Sequence, residues 1–493
     1  MKSIRKSIFL ISGPLLFMIL QYFDPPTGMS ESAYSLLSIT LWMALWWVTE
    51  SVPIAVTALL PIILFPMTGA VDLETTTASY GHRYIFLYMG GFMLAIAIEK
   101  WNLHKRIALN VIKIIGTNVS KIILGFMVAT AFLSMWISNT ATAVMMLPIG
   151  MSIVGQLQDN PDTEEDENLI FGKALMLSIA YSASIGGMAT LIGTPPNLVF
   201  AGYVEEVYGI EITFLQWFKF GLPIAIPLLL IAWLYLTRYA FKFKQNEFPG
   251  GKKEIDRLLV ALGPMKREEK IVSLIFLLTA FCWITRSFIL QNFFPFIDDT
   301  IIAMVAGVLL FVIPTSDIKK RIITWEDAVK LPWGIILLFG GGMALAAGFQ
   351  ITGLASWLGD QMSMLQGLSL IVLVFVIIAA VNFFTEFTSN LATTAMLLPI
   401  LAPIAISLNI NPYILMVACT IAASCAFMMP VATPPNAVVF GSGYLRIPDM
   451  IKSGIWMNII SIIFLTIMVY YFLPIIWDFN PSDFSKFINL EKP

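Results

Sequence analysis

Ser138-Asn139-Thr140-Ala141-Thr142-Ala143-Val144-Met145-Met146-Leu147-Pro148-Ile149 returns 251 residues later as Ser389-Asn390-Leu391-Ala392-Thr393-Thr394-Ala395-Met396-Leu397-Leu398-Pro399-Ile400, identical at eight of twelve positions. The same spacing carries Gly90-Gly91 onto Gly341-Gly342, and farther along Gly193-Thr194-Pro195-Pro196-Asn197 recurs as Ala432-Thr433-Pro434-Pro435-Asn436. Two copies of one unit are therefore present, and each copy places a polar patch and a double proline inside apolar sequence.

The surroundings of these copies set the fold class. Of 493 residues, 58% are hydrophobic and 12% charged, and a mean hydropathy of +0.83 is that of a polytopic membrane protein. A net charge of −2 without a long Lys/Arg stripe argues against a nucleic-acid partner. Cys282, Cys419 and Cys425 lie in apolar segments at spacings that fit no zinc site or disulfide framework, and read as packing residues. Lys2, Arg5 and Lys6 before an apolar run imitate a signal peptide, but the run ends at Asp24-Pro25-Pro26 without a small-residue cleavage pattern, so a retained helix is expected.

A helix that crosses the hydrocarbon core needs about 20 mainly apolar residues. Spans are expected at 7–23, 34–49, 52–68, 84–100, 172–203, 217–238, 271–290, 299–314, 333–350, 411–441 and 453–477. Two further stretches, 122–156 and 369–406, are long enough for two passes each but are interrupted at Ser138-Asn139 and Ser389-Asn390. If each enters and returns on the same side, the basic clusters around Lys2, Lys105, the 238–270 loop, Lys319 and Arg446/Lys452 all fall inside. The loops 24–33, 203–216, 291–298 and 351–368, which lack Lys and Arg, then fall outside. The acidic run Asp162 to Glu167 lies inside and Arg83 is a lone basic exception outside. The expected fold is all-α, with eleven transmembrane helices and two re-entrant hairpins, N-terminus cytoplasmic and C-terminus outside.

Residues 1–33 form an N-terminal helix and loop, 34–238 the first repeat with hairpin 122–156, and 239–270 a cytoplasmic linker. The second repeat spans 271–477 with hairpin 369–406, and 478–493 is a tail. The first repeat begins by crossing inward and the second by crossing outward, so the topology is inverted. Inverted repeats with broken helices are the signature of secondary transporters whose sites lie near the bilayer midplane.

The chemistry follows from what the breaks expose. Pro195-Pro196 and Pro434-Pro435 should split the fifth and tenth crossings into half-helices. Half-helix N-termini suit a carboxylate, while freed carbonyls and Ser, Thr or Asn oxygens suit a small hard cation. Asn139 and Asn390 offer both an amide oxygen and an NH₂. No Lys or Arg occurs in any motif, so an anionic substrate needs its charge balanced by dipoles and bound cations. Glu386 is the ionisable residue nearest a tip, readable as a proton relay or as a group that orients the hairpin backbone; the first copy has Met135 there. Arg286 and Glu50 lie near span ends, where snorkelling accounts for them. Trp46-Trp47 reads as part of an interfacial belt.

The Ser-Asn-Thr-type tips, the two Thr-Pro-Pro-Asn breaks and the run Trp46-Trp47-Val48-Thr49-Glu50-Ser51-Val52-Pro53 closely resemble the divalent anion/sodium symporter (DASS) family over about residues 34–477. The resemblance implies an elevator-type carrier of dicarboxylates, citrate or sulfate, usually a homodimer, with Na⁺ as coupling ion. By matching, it implies one sodium site at Ser134, Ser138, Asn139 and Gly193 and another at Thr385, Ser389, Asn390 and Ala432. Substrate contacts would come from Asn139, Thr140, Thr194, Asn390, Thr433 and Pro434. Leu391 departs from the pattern, because it replaces a third-position hydroxyl with an apolar group.

The resulting expectation is a multi-pass plasma-membrane carrier of small C4-type dicarboxylates (succinate, malate or fumarate-like), coupled to sodium and performing no chemistry on its cargo. A sodium-independent dicarboxylate exchanger and a citrate or sulfate carrier are the alternatives within that class. A channel would need a continuous polar pore. An enzyme would need a nucleophile with its base or a metal cluster, and two histidines near span ends supply neither.

Overall fold

The computed structural model describes residues 2–116, 118–155, 167–243, 251–361 and 367–488. The expected acidic run before Glu167, the middle of the 351–368 loop, part of the basic linker and the end of the tail lie outside the described residues. Among the described residues the chain is helical, and the one β feature is an isolated bridge between Pro314 and Arg321. Eight helices are long and apolar enough to cross a membrane by length and composition.

The first repeat follows an N-terminal helix α1 (Lys2–Tyr22). It comprises α2 (Glu31–Thr49), α3 (Ile54–Thr57), α4 (Leu60–Thr68), α5 (Leu73–Ala78), α6 (Arg83–Lys100) and α7 (Leu103–Ile115). The hairpin α8 (Val119–Ser134) and α9 (Asn139–Val154) comes next, followed by α10 (Glu167–Gly187), α11 (Pro195–Tyr208) and α12 (Phe214–Leu234). A linker helix α13 (Gly251–Leu262) leads to the second repeat. Its elements are α14 (Arg267–Thr285), α15 (Gln291–Phe293), α16 (Asp299–Val312), α17 (Trp325–Ala328), α18 (Trp333–Ile351) and α19 (Leu354–Gln361). The second hairpin is α20 (Leu370–Phe384) and α21 (Asn390–Ser407), and then come α22 (Pro412–Ala423), α23 (Pro434–Phe440), α24 (Ile447–Ile467), α25 (Leu473–Ile476) and α26 (Ser485–Ile488).

Local chemistry explains the boundaries. Ser30, Asn118, Thr213 and Asp298 each accept a hydrogen bond from the backbone N–H three residues on, and so start α2, α8, α12 and α16. Gly69, at φ 70°, ends α4 in a left-handed conformation that glycine adopts without strain. Arms α8, α9 and α20 have 16, 16 and 15 residues. At 1.5 Å per residue they reach about 22–24 Å, short of the ~30 Å hydrocarbon core, whereas the fourth arm, α21, has 18 residues and is long enough to count among the eight. The expected 52–68 span differs: it is broken between α3 and α4, and the freed Ala58 carbonyl accepts a hydrogen bond from the Tyr80 hydroxyl.

The two repeats are interlocked reciprocally. Helix α6 packs on α16 of the other copy, while α18, the counterpart of α6, packs on α3 and α4. At the first crossing a Cβ on Gly90 would lie 2.5 Å from the Ala303 carbonyl, and at the second a Cβ on Gly341 would lie 2.5 Å from the Ala58 oxygen. These two glycines are the pair that the sequence repeat superposes. Gly341→Val and Gly90→Val are each expected to destabilise the folded protein by about 1–3 kcal/mol, because the opposing atoms are backbone and cannot rotate away. Thermal unfolding in detergent checks this; an unchanged midpoint for both would contradict the close crossing.

Two sequence expectations are corrected here. Trp46 and Trp47 do not form an exposed belt: both are buried, and their indole N–H groups donate to Leu10 O at 3.2 Å and Ile54 O at 3.2 Å. They tie α2 to α1 and α3, which explains why the ring stays inside. Arg286 does not snorkel either. Its side chain is 3% exposed and pairs with Glu211 at 2.7 Å and Asp299 at 3.1 Å, so the charge is balanced within the protein. The cysteines are packing residues as expected: Cys419 and Cys425 are buried and all three are free.

Candidate functional site at the hairpin tips and helix breaks

Each polar tip closes a hairpin whose second arm begins with its own cap. Ser138 Oγ accepts from Ala141 N at 3.3 Å, and Ser389 Oγ accepts from Ala392 N at 3.5 Å. The following asparagines, Asn139 and Asn390, are the first residues of α9 and α21 and are half-buried. Five residues upstream a hydroxyl faces each amide. Ser134 Oγ donates to Asn139 Oδ1 at 2.6 Å and reaches Ala183 O at 2.7 Å. Thr385 Oγ1 donates to Asn390 Oδ1 at 2.6 Å and reaches Ala423 O at 3.2 Å. Both repeats thus build one arrangement: a hydroxyl, an amide and the last carbonyls of the helix that runs into the break.

The breaks fall where the double prolines require. Between α10 and α11 the chain leaves the helix over residues 188–194, and between α22 and α23 over 424–433. Pro195 and Pro434 then occupy the first position of the new half-helix, where their missing N–H costs nothing. Asn197 Nδ2 donates to Thr190 O at 2.7 Å and Gly187 O at 3.3 Å, and Asn436 Nδ2 donates to Met429 O at 3.0 Å and Ala426 O at 3.2 Å. The motif asparagines therefore hold both irregular segments in the same shape. Their recurrence in register is the one trace of this role in the sequence.

Close approach is enforced by glycine. A Cβ on Gly187 would collide with Asn139 Oδ1, and a Cβ on Gly193 would lie 2.5 Å from Gly187 O. Gly221 of α12 and Gly454 of α24 press the same way on the two breaks, against Met188 O and Phe427 O. These last two glycines carry no local sequence signal, because the contact is made by a helix elsewhere in the chain.

The four broken ends converge. Helix α23 packs on α9 and α10, and α11 packs on α21 and α22, so each short half-helix leans on the hairpin of the opposite repeat. Cys425 Sγ lies 3.7 Å from Met188 Sδ, and the Tyr181 and Phe427 rings meet edge to face at 4.9 Å. Thr194 and Thr433, at the N-caps of α11 and α23, are buried, while Thr140 and Pro434 are exposed. Leu391 stands apart from its counterpart Thr140: it is 5% exposed and belongs to the apolar core. Ala432, unlike Gly193, carries a methyl, and it is also buried.

The donor set suits a hard cation. Ser134 Oγ, Asn139 Oδ1, Ala183 O and Gly193 O face one another around the first tip. With the Asn139 amide turned over, Nδ2 donates to Gly193 O at 3.1 Å and Ala183 O at 3.2 Å. With Oδ1 inward the wall is all oxygen, which is what Na⁺ or another hard cation requires.

Comparison with known proteins bears on this geometry. The family described as "Sodium:sulfate symporter transmembrane region" matches residues 6–477. A Staphylococcus saprophyticus protein named sodium-dependent dicarboxylate transporter SdcS is 46% identical over 478 residues, 96% of this chain and 92% of that one. The Staphylococcus aureus (strain USA300) protein of the same name is 47% identical over 475 residues, 95% and 91% of the two chains. Among solved structures, the Alcanivorax borkumensis YdaH transporter aligns with a TM-score of 0.59 at 14% identity, over 83% of this chain and 88% of that one. Neisseria gonorrhoeae MtrF aligns with a TM-score of 0.54 at 14% identity, over 94% and 95%. At that identity the two structures speak for the fold alone.

Proposed function

Because the chain belongs to the sodium:sulfate symporter transmembrane-region family, we propose that it is a secondary active carrier of small dicarboxylates of the succinate, malate or fumarate type, driven by Na⁺. The observation that carries this reading is the hydroxyl–amide–carbonyl cluster built twice, once at each hairpin tip. It agrees with the names of the relatives that are nearly half identical along almost the whole chain.

In this reading Ser134, Ser138, Asn139 and Gly193 hold one sodium ion and Thr385, Ser389, Asn390 and Ala432 a second. Asn139, Thr140, Thr194, Asn390, Leu391, Thr433 and Pro434 line the substrate. The two carboxylates meet half-helix N-termini, where N–H dipoles and the neighbouring cations offset their charge without a Lys or Arg. The site operates in a multi-pass protein of the plasma membrane, N-terminus cytoplasmic and C-terminus outside, in contact with lipid and assembled as a homodimer. An elevator motion carries hairpins and breaks together past α6, α16 and α18.

Coupling is tested from the cation's side. In proteoliposomes an imposed inward succinate gradient should draw radioactive sodium inward, and sulfate should not replace succinate. Sodium movement that ignores the succinate gradient would overturn the coupling. Leu391→Thr is expected to reorder malate, fumarate and succinate as competitors, since a hydroxyl at the first residue behind Asn390 restores the pattern of the other tip. An unchanged order would assign Leu391 to packing alone, as its burial in the core would then explain in full.

A further inference from the structure

The two halves of the site are alike except in how each break is fastened to its hairpin. In the first repeat the fastening is a neutral hydroxyl from the break: Thr190 Oγ1 donates to Met135 O at 2.5 Å and accepts from Gly193 N at 3.0 Å. In the second repeat the position of Thr190 is taken by Met429, and that of Met135 by Glu386. The fastening now runs the other way, from hairpin to break. Glu386 accepts from Phe427 N at 2.8 Å, Met428 N at 3.0 Å, Met429 N at 2.9 Å and Asn458 Nδ2 at 2.7 Å. It is 1% exposed. All of these partners are donors, the set that an ionised carboxylate accepts and a protonated one cannot use fully.

This carboxylate is wired to the second cation site on both sides. Thr385, its chain neighbour, supplies the hydroxyl that faces Asn390. On the other side Met429, whose N–H it binds, accepts through its carbonyl from Ala432 N at 3.2 Å and Asn436 Nδ2 at 3.0 Å. No carboxylate occurs in the corresponding segments of the first repeat, 134–140 and 187–197.

We propose that Glu386 is a positioning residue that makes the two cation sites unequal: its fixed negative charge and its hold on residues 427–429 make the second-repeat site the tighter of the two, filled first, while the neutral Thr190 fastening leaves the first-repeat site weaker. This rests on the sodium-coupled reading above and adds an order of loading to it. Asn458 completes the arrangement from α24 by donating to the carboxylate while accepting from Phe427 N at 3.2 Å.

Three variants of the full chain test it: Glu386→Gln, Glu386→Asp, and the double substitution Glu386→Met with Met429→Thr, which copies the neutral fastening of the first repeat. Sodium is titrated against choline in two readouts, the thermal unfolding midpoint of the purified protein without substrate and succinate uptake in proteoliposomes. Both neutral variants are expected to need on the order of tenfold more sodium for half-saturation, the effect of one unit charge acting over several ångströms in a protein interior. The double variant is expected to keep its maximal uptake rate at saturating sodium, and Glu386→Asp, which keeps the charge but shortens the reach to residues 427–429, to fall between the parent and the neutral variants. A parent-like sodium requirement in either neutral variant would overturn the inference while leaving the sodium-coupled reading intact. Failure of both neutral variants to fold would reduce Glu386 to a structural cap and also overturn it. Sodium without effect on the parent in both readouts would remove the coupled reading and this inference together.

Discussion

Asn139→Ala and Asn390→Ala should each abolish sodium-driven dicarboxylate uptake, with the protein still reaching the membrane and purifying as a folded species. Each substitution removes the only side chain at its tip that presents both an oxygen to a cation and an NH₂ to an anion, and it strands Ser134 or Thr385 with one partner instead of two. The helix start is spared, because the cap comes from Ser138 or Ser389. Loss of one charge-assisted contact costs about 1.5–3 kcal/mol and loss of a cation site more, so uptake should fall by at least tenfold to a hundredfold. Uptake measured against the amount of folded protein checks it. Normal transport by either variant would remove that tip from the site.

Arg286→Met should instead destabilise the protein. The guanidinium is buried against Asp299, whose carboxylate also accepts from Phe214 N at 2.8 Å and whose carbonyl accepts from the Trp283 indole at 3.0 Å. Methionine fills the volume but leaves Asp299 as a buried carboxylate without its cation, a loss of about 3–5 kcal/mol when one partner of a buried pair is removed. Pairing the change with Asp299→Asn should recover much of it, because the buried carboxylate is then gone too and the remaining partner, Glu211, is a third exposed and lies 3.7 Å from Arg83. The comparison of thermal midpoints for the single and double variants decides the matter. A single variant as stable as the parent would mean that the pair contributes nothing.

Much of the fold is legible in the sequence because membrane sequence is written in strong contrasts. The polar tips Ser138-Asn139 and Ser389-Asn390 and the double prolines interrupt apolar runs that otherwise have no reason to stop, and their recurrence in register locates hairpins, breaks and repeats together. The helices α7 and α13 were not legible in the same way. Charged residues on one face, such as Arg106 with Glu269 at 2.8 Å and Lys113 with Asp256 at 2.7 Å, lower the average hydropathy below that of a span.

Long-range pairing explains the remaining differences. Nothing near Arg286 in the sequence announces Glu211 or Asp299, and nothing near Trp47 announces that its ring packs inward. The same holds at the site. Asn139 and Asn390 stand out locally, whereas Gly221 and Gly454 matter only by lying against Met188 and Phe427, break residues more than 25 positions away in the chain. Glu386 falls between these cases: its position beside a tip draws notice, but only the three backbone donors from 427–429 show that it orients the backbone.

The central claim is that sodium, bound at paired tips, drives dicarboxylate across the membrane. Its most direct test is uptake of radiolabelled succinate into proteoliposomes, with and without an inward sodium gradient and with and without unlabelled dicarboxylate inside. Uptake is expected to require the sodium gradient and to proceed into vesicles containing no dicarboxylate. Uptake that ignores sodium but requires internal dicarboxylate would contradict it and make the protein an exchanger.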